Sequence, residues 1–207
     1  KGENQCVGFV ASLIDDSYAL GGEKLLEPVT ALLGELICDP VTKHGRLVPA
    51  YFDSEKTNLI DAIRSLINDK REYADSRLLR EMCAGEPYGI PRLGDEPSAE
   101  KLQSKKLYAL YKELISTARL ELFYSGSASQ KRVEQAMLSA FSTLPRDVVQ
   151  EIAIPQEHMA RTEVLRIEDE MDVTQGKLGM GFSCGSDDTA ALLMGNTLFG
   201  GSSNSKL

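Results

Sequence analysis

Metal and nucleophile chemistry needs histidine, cysteine or carboxylate side chains at close, regular spacing, and this sequence supplies few such groupings. His44 and His158 are its only histidines and stand far apart, so no H-x-x-E-H stretch puts two imidazoles and a carboxylate on one helix to hold zinc and take a proton from its water. Cys6, Cys38, Cys83 and Cys184 form no C-x-x-C pair and read as reduced, mostly buried thiols packing as small hydrophobes. Glu55 falls near the start of a predicted helix, where a carboxylate suits the positive end of the helix dipole. Asp61 and the run Asp69-Lys70-Arg71-Glu72 read as solvated helix faces. His44, in Lys43-His44-Gly45-Arg46, reads as a loop residue without a partner. Gly200-Gly201-Ser202-Ser203 comes after a helix and not before one, so it is no phosphate loop; its glycines read as a left-handed helix stop.

The elements that would carry these residues follow from periodicity. Apolar residues at helical spacing predict a helix over 23–38, ended by Asp39-Pro40. A loop to about Tyr51 precedes one long helix, capped by Asp53 or Ser54 and running to about Ala84. Proline and glycine make 85–97 a structured loop, one or two helices occupy 98–117, and further helices are predicted over 130–144 and 189–199. Apolar, β-prone or alternating stretches predict strands over 6–14, 119–124, 162–168 and 175–184, the last with Leu178, Met180 and Phe182 on one face. The fold class expected is therefore α+β, with mixed or antiparallel sheets backed by helices. Sparse apolar residues and Pro155 place a linker at 154–161, dividing a first unit, 1–153, from the beginning of a second, 162–207.

A formal charge of −8 argues against a nucleic-acid partner, which needs clustered Lys and Arg. No apolar run is long enough to span a membrane, and a cytoplasmic chain is expected. Because it opens on Lys1-Gly2 and closes on Ser205-Lys206-Leu207 in mid-pattern, the chain is expected to be a piece of a longer protein, and that ending is not read as a peroxisomal address.

Four stretches in this order resemble the insulinase/pitrilysin-type zinc metallopeptidases. They are Phe52-Asp53-Ser54-Glu55-Lys56 with Ile67–Ala74, Glu86-Pro87-Tyr88-Gly89-Ile90-Pro91 with Gly94, Glu121–Gly126, and Met171–Leu178 leading to Leu198–Leu207. The likeness is greatest to bacterial members that lack the metal motif. It implies a paired-domain module, and it implies a place for the third zinc ligand: a Glu seven residues after another Glu on a later helix. Glu55 matches the first of these, and Ala62 stands where the ligand belongs. Asp61 is adjacent but about 100° around the helix.

The resemblance thus implies a catalytically silent homologue with no zinc of its own. Such a chain would supply a substrate-enclosing or peptide-binding half beside an active homologous subunit, or would self-associate. Gly200, Gly201, Ser202 and Ser203, or an exposed edge at Glu121–Tyr124 or Gly176–Cys184, would meet a peptide or polypeptide substrate. The alternatives are an active zinc endopeptidase or processing enzyme whose H-x-x-E-H lies upstream, and a purely structural assembly subunit.

Overall fold

The computed structural model describes residues 6–152, 163–183 and 188–201. The chain is mostly helical, with one small antiparallel sheet among the described residues. The helices are α1 (Leu26–Cys38), α2 (Pro49–Ser65), α3 (Lys70–Met82), α4 (Glu96–Glu100), α5 (Ser104–Thr117), α6 (Gln130–Ala140) and α7 (Thr189–Phe199). None is long and apolar enough to cross a membrane.

The sheet lies where a loop was expected. β1 (Thr42–Lys43) pairs antiparallel with β2 (Arg46–Leu47), and His44 and Gly45 make the two-residue turn. Both have positive φ, 53° and 71°, as a turn that matches the strands' own twist requires. Pro49 then starts α2 at its first position, where a missing N–H costs nothing. That is earlier than the Asp53 or Ser54 cap the sequence pattern proposed.

The single long helix expected over 54–84 is two helices. A short 3-10 turn, Leu66–Asn68, follows α2, and Asp69 leaves helical geometry at φ −92° and ψ 98°. Its carboxylate accepts from the Arg71 and Glu72 N–H groups at 3.0 Å each and so caps α3. Asp69→Ala is expected to cost about 0.5–2 kcal/mol in urea unfolding, with Asp69→Asn retaining most of the stability, because the cap needs an acceptor and not a charge.

None of the four predicted strands joins a ladder among the described residues. Alternation records which side chains share a face but not whether a neighbouring strand is at hand, so the α+β expectation gives way to a mainly helical chain. Gly176–Ser183 still alternates: an added Cβ at Gly179 would lie 3.4 Å from Leu78, and one at Gly181 would lie close against Met82. Leu178, Met180 and Phe182 therefore point away from α3, exposed.

The buried core is small. Leu26 of α1 packs with Val133 and Ala136 of α6, flanked by Ala128 and Met137. Elsewhere polar ties hold the elements. The Ser104 hydroxyl donates to the Leu47 carbonyl at 2.7 Å, and Tyr111 donates to the Ile37 carbonyl. The Arg146 guanidinium donates to the Ile115 and Ala118 carbonyls at 2.8 and 2.7 Å, satisfying acceptors at the end of α5. The Arg64 Nε donates to Glu96 at 3.0 Å and fastens α2 to α4. The Tyr73 hydroxyl and the Arg77 Nε donate to Asp169 at 3.0 and 3.1 Å, fastening α3 to the stretch after residue 163.

Candidate functional site

Glu55, Asp61 and Ala62 all lie on α2, as the helical reading required. Seven residues make two turns, about 10.5 Å of rise, so positions 55 and 62 share a face. Glu55 and Asp61 are exposed, and Ala62 is half-buried at the margin of the stripe that packs inward. A methyl group has no lone pair to give a metal, and Asp61 contributes instead to the field around Arg64. His44 is exposed at the hairpin turn, and His158 lies outside the described residues. Among the described residues, no three or more His, Cys, Asp or Glu side chains are grouped to hold a metal.

At the chain's glycine-rich end, α7 stops without the left-handed glycine the sequence led one to expect. Gly200 has φ −158°, extended backbone, and the Gly200 and Gly201 N–H groups both donate to the Asn196 carbonyl, at 3.0 and 2.8 Å. Ser202 and Ser203, the rest of the candidate peptide-binding group, lie outside the described residues. Cys6 is exposed, and Cys38 and Cys83 are half-buried. Their expected burial is thus not met: Cys38 and Cys83 fall at the ends of α1 and α3 rather than on an inward stripe, and Cys6 precedes the first helix. Cys184 lies outside the described residues.

The densest polar cluster went unrecognised in the sequence. Arg132 of α6 forms a two-pronged pair with Glu27 of α1, both contacts at 2.6 Å, and reaches Asp16 at 2.5 Å. Asp16 also accepts from the Leu25 N–H at 2.9 Å. Next to it, Asp15 accepts from the Ser17 N–H at 2.9 Å and from the Ser127 hydroxyl. The Ser127 hydroxyl first, then the Ser17 hydroxyl, which donates at 2.6 Å, and then the Ser17 N–H hold the Asp15 carboxyl down at about 2. The Arg132 guanidinium does the same to Glu27, also to about 2. Asp16 is lowered by the Leu25 N–H and then by Arg132. A cavity of about 500 Å³ opens beside this cluster, lined by Glu27, Ala31, Arg132, Gln135, Ser139 and Ala140. Its one cation is already held by two carboxylates, so the cluster is a clasp between α1, α6 and the stretch before α1. No local spacing announces it, since Arg132 stands more than a hundred positions from both Asp16 and Glu27.

With this geometry, the chain can be set beside known proteins. A family model described as the peptidase M16 inactive domain matches residues 101–207. The probable inactive metalloprotease YmfF of Bacillus subtilis (strain 168) is 31% identical over 212 residues, covering 100% of this chain and 49% of that protein. The chain thus spans about half the length of this curated relative. The crystal structure of a conserved protein from Enterococcus faecalis V583 superposes with a TM-score of 0.61 at 22% identity, covering 73% of this chain and 35% of that one. That of a peptidase M16 inactive domain from Pseudomonas fluorescens gives 0.50 at 17% identity, covering 65% and 32%. At these identities the two crystal structures attest the fold alone.

Proposed function

Because the chain belongs to the peptidase M16 (insulinase) family, matching its inactive domain, we propose that it is a catalytically silent member that encloses or holds polypeptide for a peptidase assembly. The observation that carries this reading is Ala62. Zinc in this family's pattern takes its third protein ligand from the position two helical turns after Glu55, and α2 puts a half-buried methyl there. Three protein ligands and one open position are what allow zinc to acidify water and polarise a carbonyl. With one ligand gone, a site of this kind loses both affinity and geometry. The relative from Bacillus subtilis carries the description of an inactive metalloprotease, which supports the same reading.

A silent member keeps what does not need metal: surfaces that receive polypeptide. The unpaired stretches Glu121–Tyr124 and Gly176–Ser183, and the turn at Gly200-Gly201, are the surfaces this reading assigns to that role, beside an active homologous subunit.

The test is elemental analysis of the protein purified without chelator, followed by equilibrium dialysis against zinc. Less than about a tenth of an equivalent is expected, with no peptidase activity on a denatured protein substrate. Stoichiometric zinc would refute the reading. Ala62→Glu separates the parts of the argument. It restores a ligand type at the one position, so a gain in zinc affinity would mean that the other ligands are present and that Ala62 alone silences the site.

A further inference from the structure

Two segments that contain no carboxylate, 41–52 and 101–112, meet where β2 packs on α5. They carry Lys43, Arg46, Lys105 and Lys106, all exposed, in a chain whose formal charge is −8. The Ser104 hydroxyl, at the start of α5, donates to the Leu47 carbonyl of β2 at 2.7 Å, so the hairpin lies against the first turn of that helix. A third element adds another ammonium: Lys56 of α2 donates to the Leu102 carbonyl at 3.3 Å, just before α5 begins. None of these five cations forms an ion pair among the described residues.

The placement is locally unfavourable twice. In the register of β1 and β2, Lys43 stands directly opposite Arg46, and like charges so placed repel. Lys105 and Lys106 lie in the first turn of α5, which holds no acid and whose Gln103 cap makes no side-chain hydrogen bond. That end of a helix is its positive end, where Asp or Glu stabilises and a cation does the reverse. Two adjoining violations of local preference, of the same sign and without a compensating ion pair, mark a surface shaped by something other than the fold.

We propose that this face, the 43–46 turn and the first turn of α5, receives a short acidic segment of polypeptide whose Asp and Glu carboxylates pair with these cations. The rest of the chain decides between classes of anion. It is acidic, so a long polyanion such as nucleic acid, charged at every phosphate, runs off this face onto a surface that repels it. A short acidic run in a polypeptide of mixed charge does not. Lysine ammoniums are mobile point charges that take a carboxylate in many orientations, so recognition here is by charge and reach more than by exact sequence. The face is separate from the surfaces assigned above, and the inference does not rest on the absence of zinc.

The test is fluorescence anisotropy of a short labelled oligoglutamate peptide titrated with the whole chain. Binding is expected at about 0.1 M salt and should weaken about tenfold or more by about 1 M, as the Debye length falls from about 10 to 3 Å. Lys43→Glu with Lys105→Glu should lower the affinity by about tenfold or more. The same variant should raise the thermal midpoint, because one change turns a like-charge pair into an attractive one and the other puts an acid at the positive end of a helix. Binding lost while stability is gained is a combination that a merely structural role for these lysines does not produce. Lys131→Glu with Lys177→Glu makes the same change in net charge away from this face and should hold the affinity within about twofold. A peptide that fails to bind at about 0.1 M salt would overturn the proposal. So would an affinity that the first variant leaves unchanged, an equal loss in both variants, or an oligonucleotide of equal length that binds the same face more tightly.

Discussion

Replacing Gly34 by alanine is expected to destabilise the chain by about 1–3 kcal/mol, although the substitution is one that ordinarily strengthens a helix. Two effects of opposite sign meet at this position. Alanine in the interior of α1 recovers about 1 kcal/mol of helix propensity. Its Cβ, however, would lie 2.3 Å from the Ala140 carbonyl oxygen and 2.9 Å from the carbonyl carbon. Those atoms are backbone at the end of α6, so they cannot swing aside as a side chain could. The helices must part, and they hold the buried apolar cluster of Leu26, Val133 and Ala136. Gly195 provides the control. It is also inside a helix, and an added Cβ there meets nothing within 4 Å. Gly195→Ala is accordingly expected to raise the helix content of α7 slightly. The measurement is thermal unfolding of both variants by circular dichroism, with a fall of about 2–4 °C expected for each kcal/mol lost at Gly34. An unchanged or raised midpoint for Gly34→Ala would mean that α1 and α6 do not approach as closely as described.

How far the fold was legible in the sequence depends on whether its cause is local. The helices Leu26–Cys38, Ser104–Thr117, Gln130–Ala140 and Thr189–Phe199 follow from apolar spacing, which records the face a helix turns inward. The break at Asp69 has a local cause too: Asp69-x-x-Glu72 is a helix start. It was hidden because the same residues read equally well as a solvated charge run. His44-Gly45 was legible only as a loop, because histidine in a left-handed turn conformation is uncommon and gives little warning of a hairpin. The strands failed for a different reason. Leu178, Met180 and Phe182 do share one face, as their alternation says, but alternation does not say whether a neighbouring strand is at hand, and among the described residues none pairs with this stretch. Of the candidate site, the placement of Glu55 and Ala62 on one helix face was legible from spacing alone. The clasp of Arg132 on Glu27 and Asp16 was not, since it joins residues that only the packing of α1 on α6 brings together.

That clasp supports the second large effect, a dependence of stability on acid that a single substitution should reduce. Asp15, Asp16 and Glu27 are all held below their ordinary values, the first and third to about 2. A carboxyl with a lowered pKa in the folded chain stabilises it while ionised. Its contribution is therefore present above the ordinary values of 3.8 and 4.5 and is lost as pH falls towards about 2. Arg132→Met keeps the length and apolar stem of the side chain but removes the charge that Glu27 and Asp16 share. The variant should have a lower urea midpoint than the parent at pH 7, with the difference shrinking through the carboxylate range and vanishing only below pH 2, once the partners are protonated in both proteins. Asp15 distinguishes the clasp from a general charge effect. Its largest restraints are the Ser127 and Ser17 hydroxyls, not Arg132, so part of the acid dependence should persist in Arg132→Met and shrink further when Ser127→Ala is added. Salt gives an independent check, because all these groups are at least a quarter exposed or lie at the surface and screening should narrow the difference at pH 7. A gap between parent and variant that stays constant from pH 7 to pH 2 would show that Arg132 acts through its packing on α1 and not through its charge.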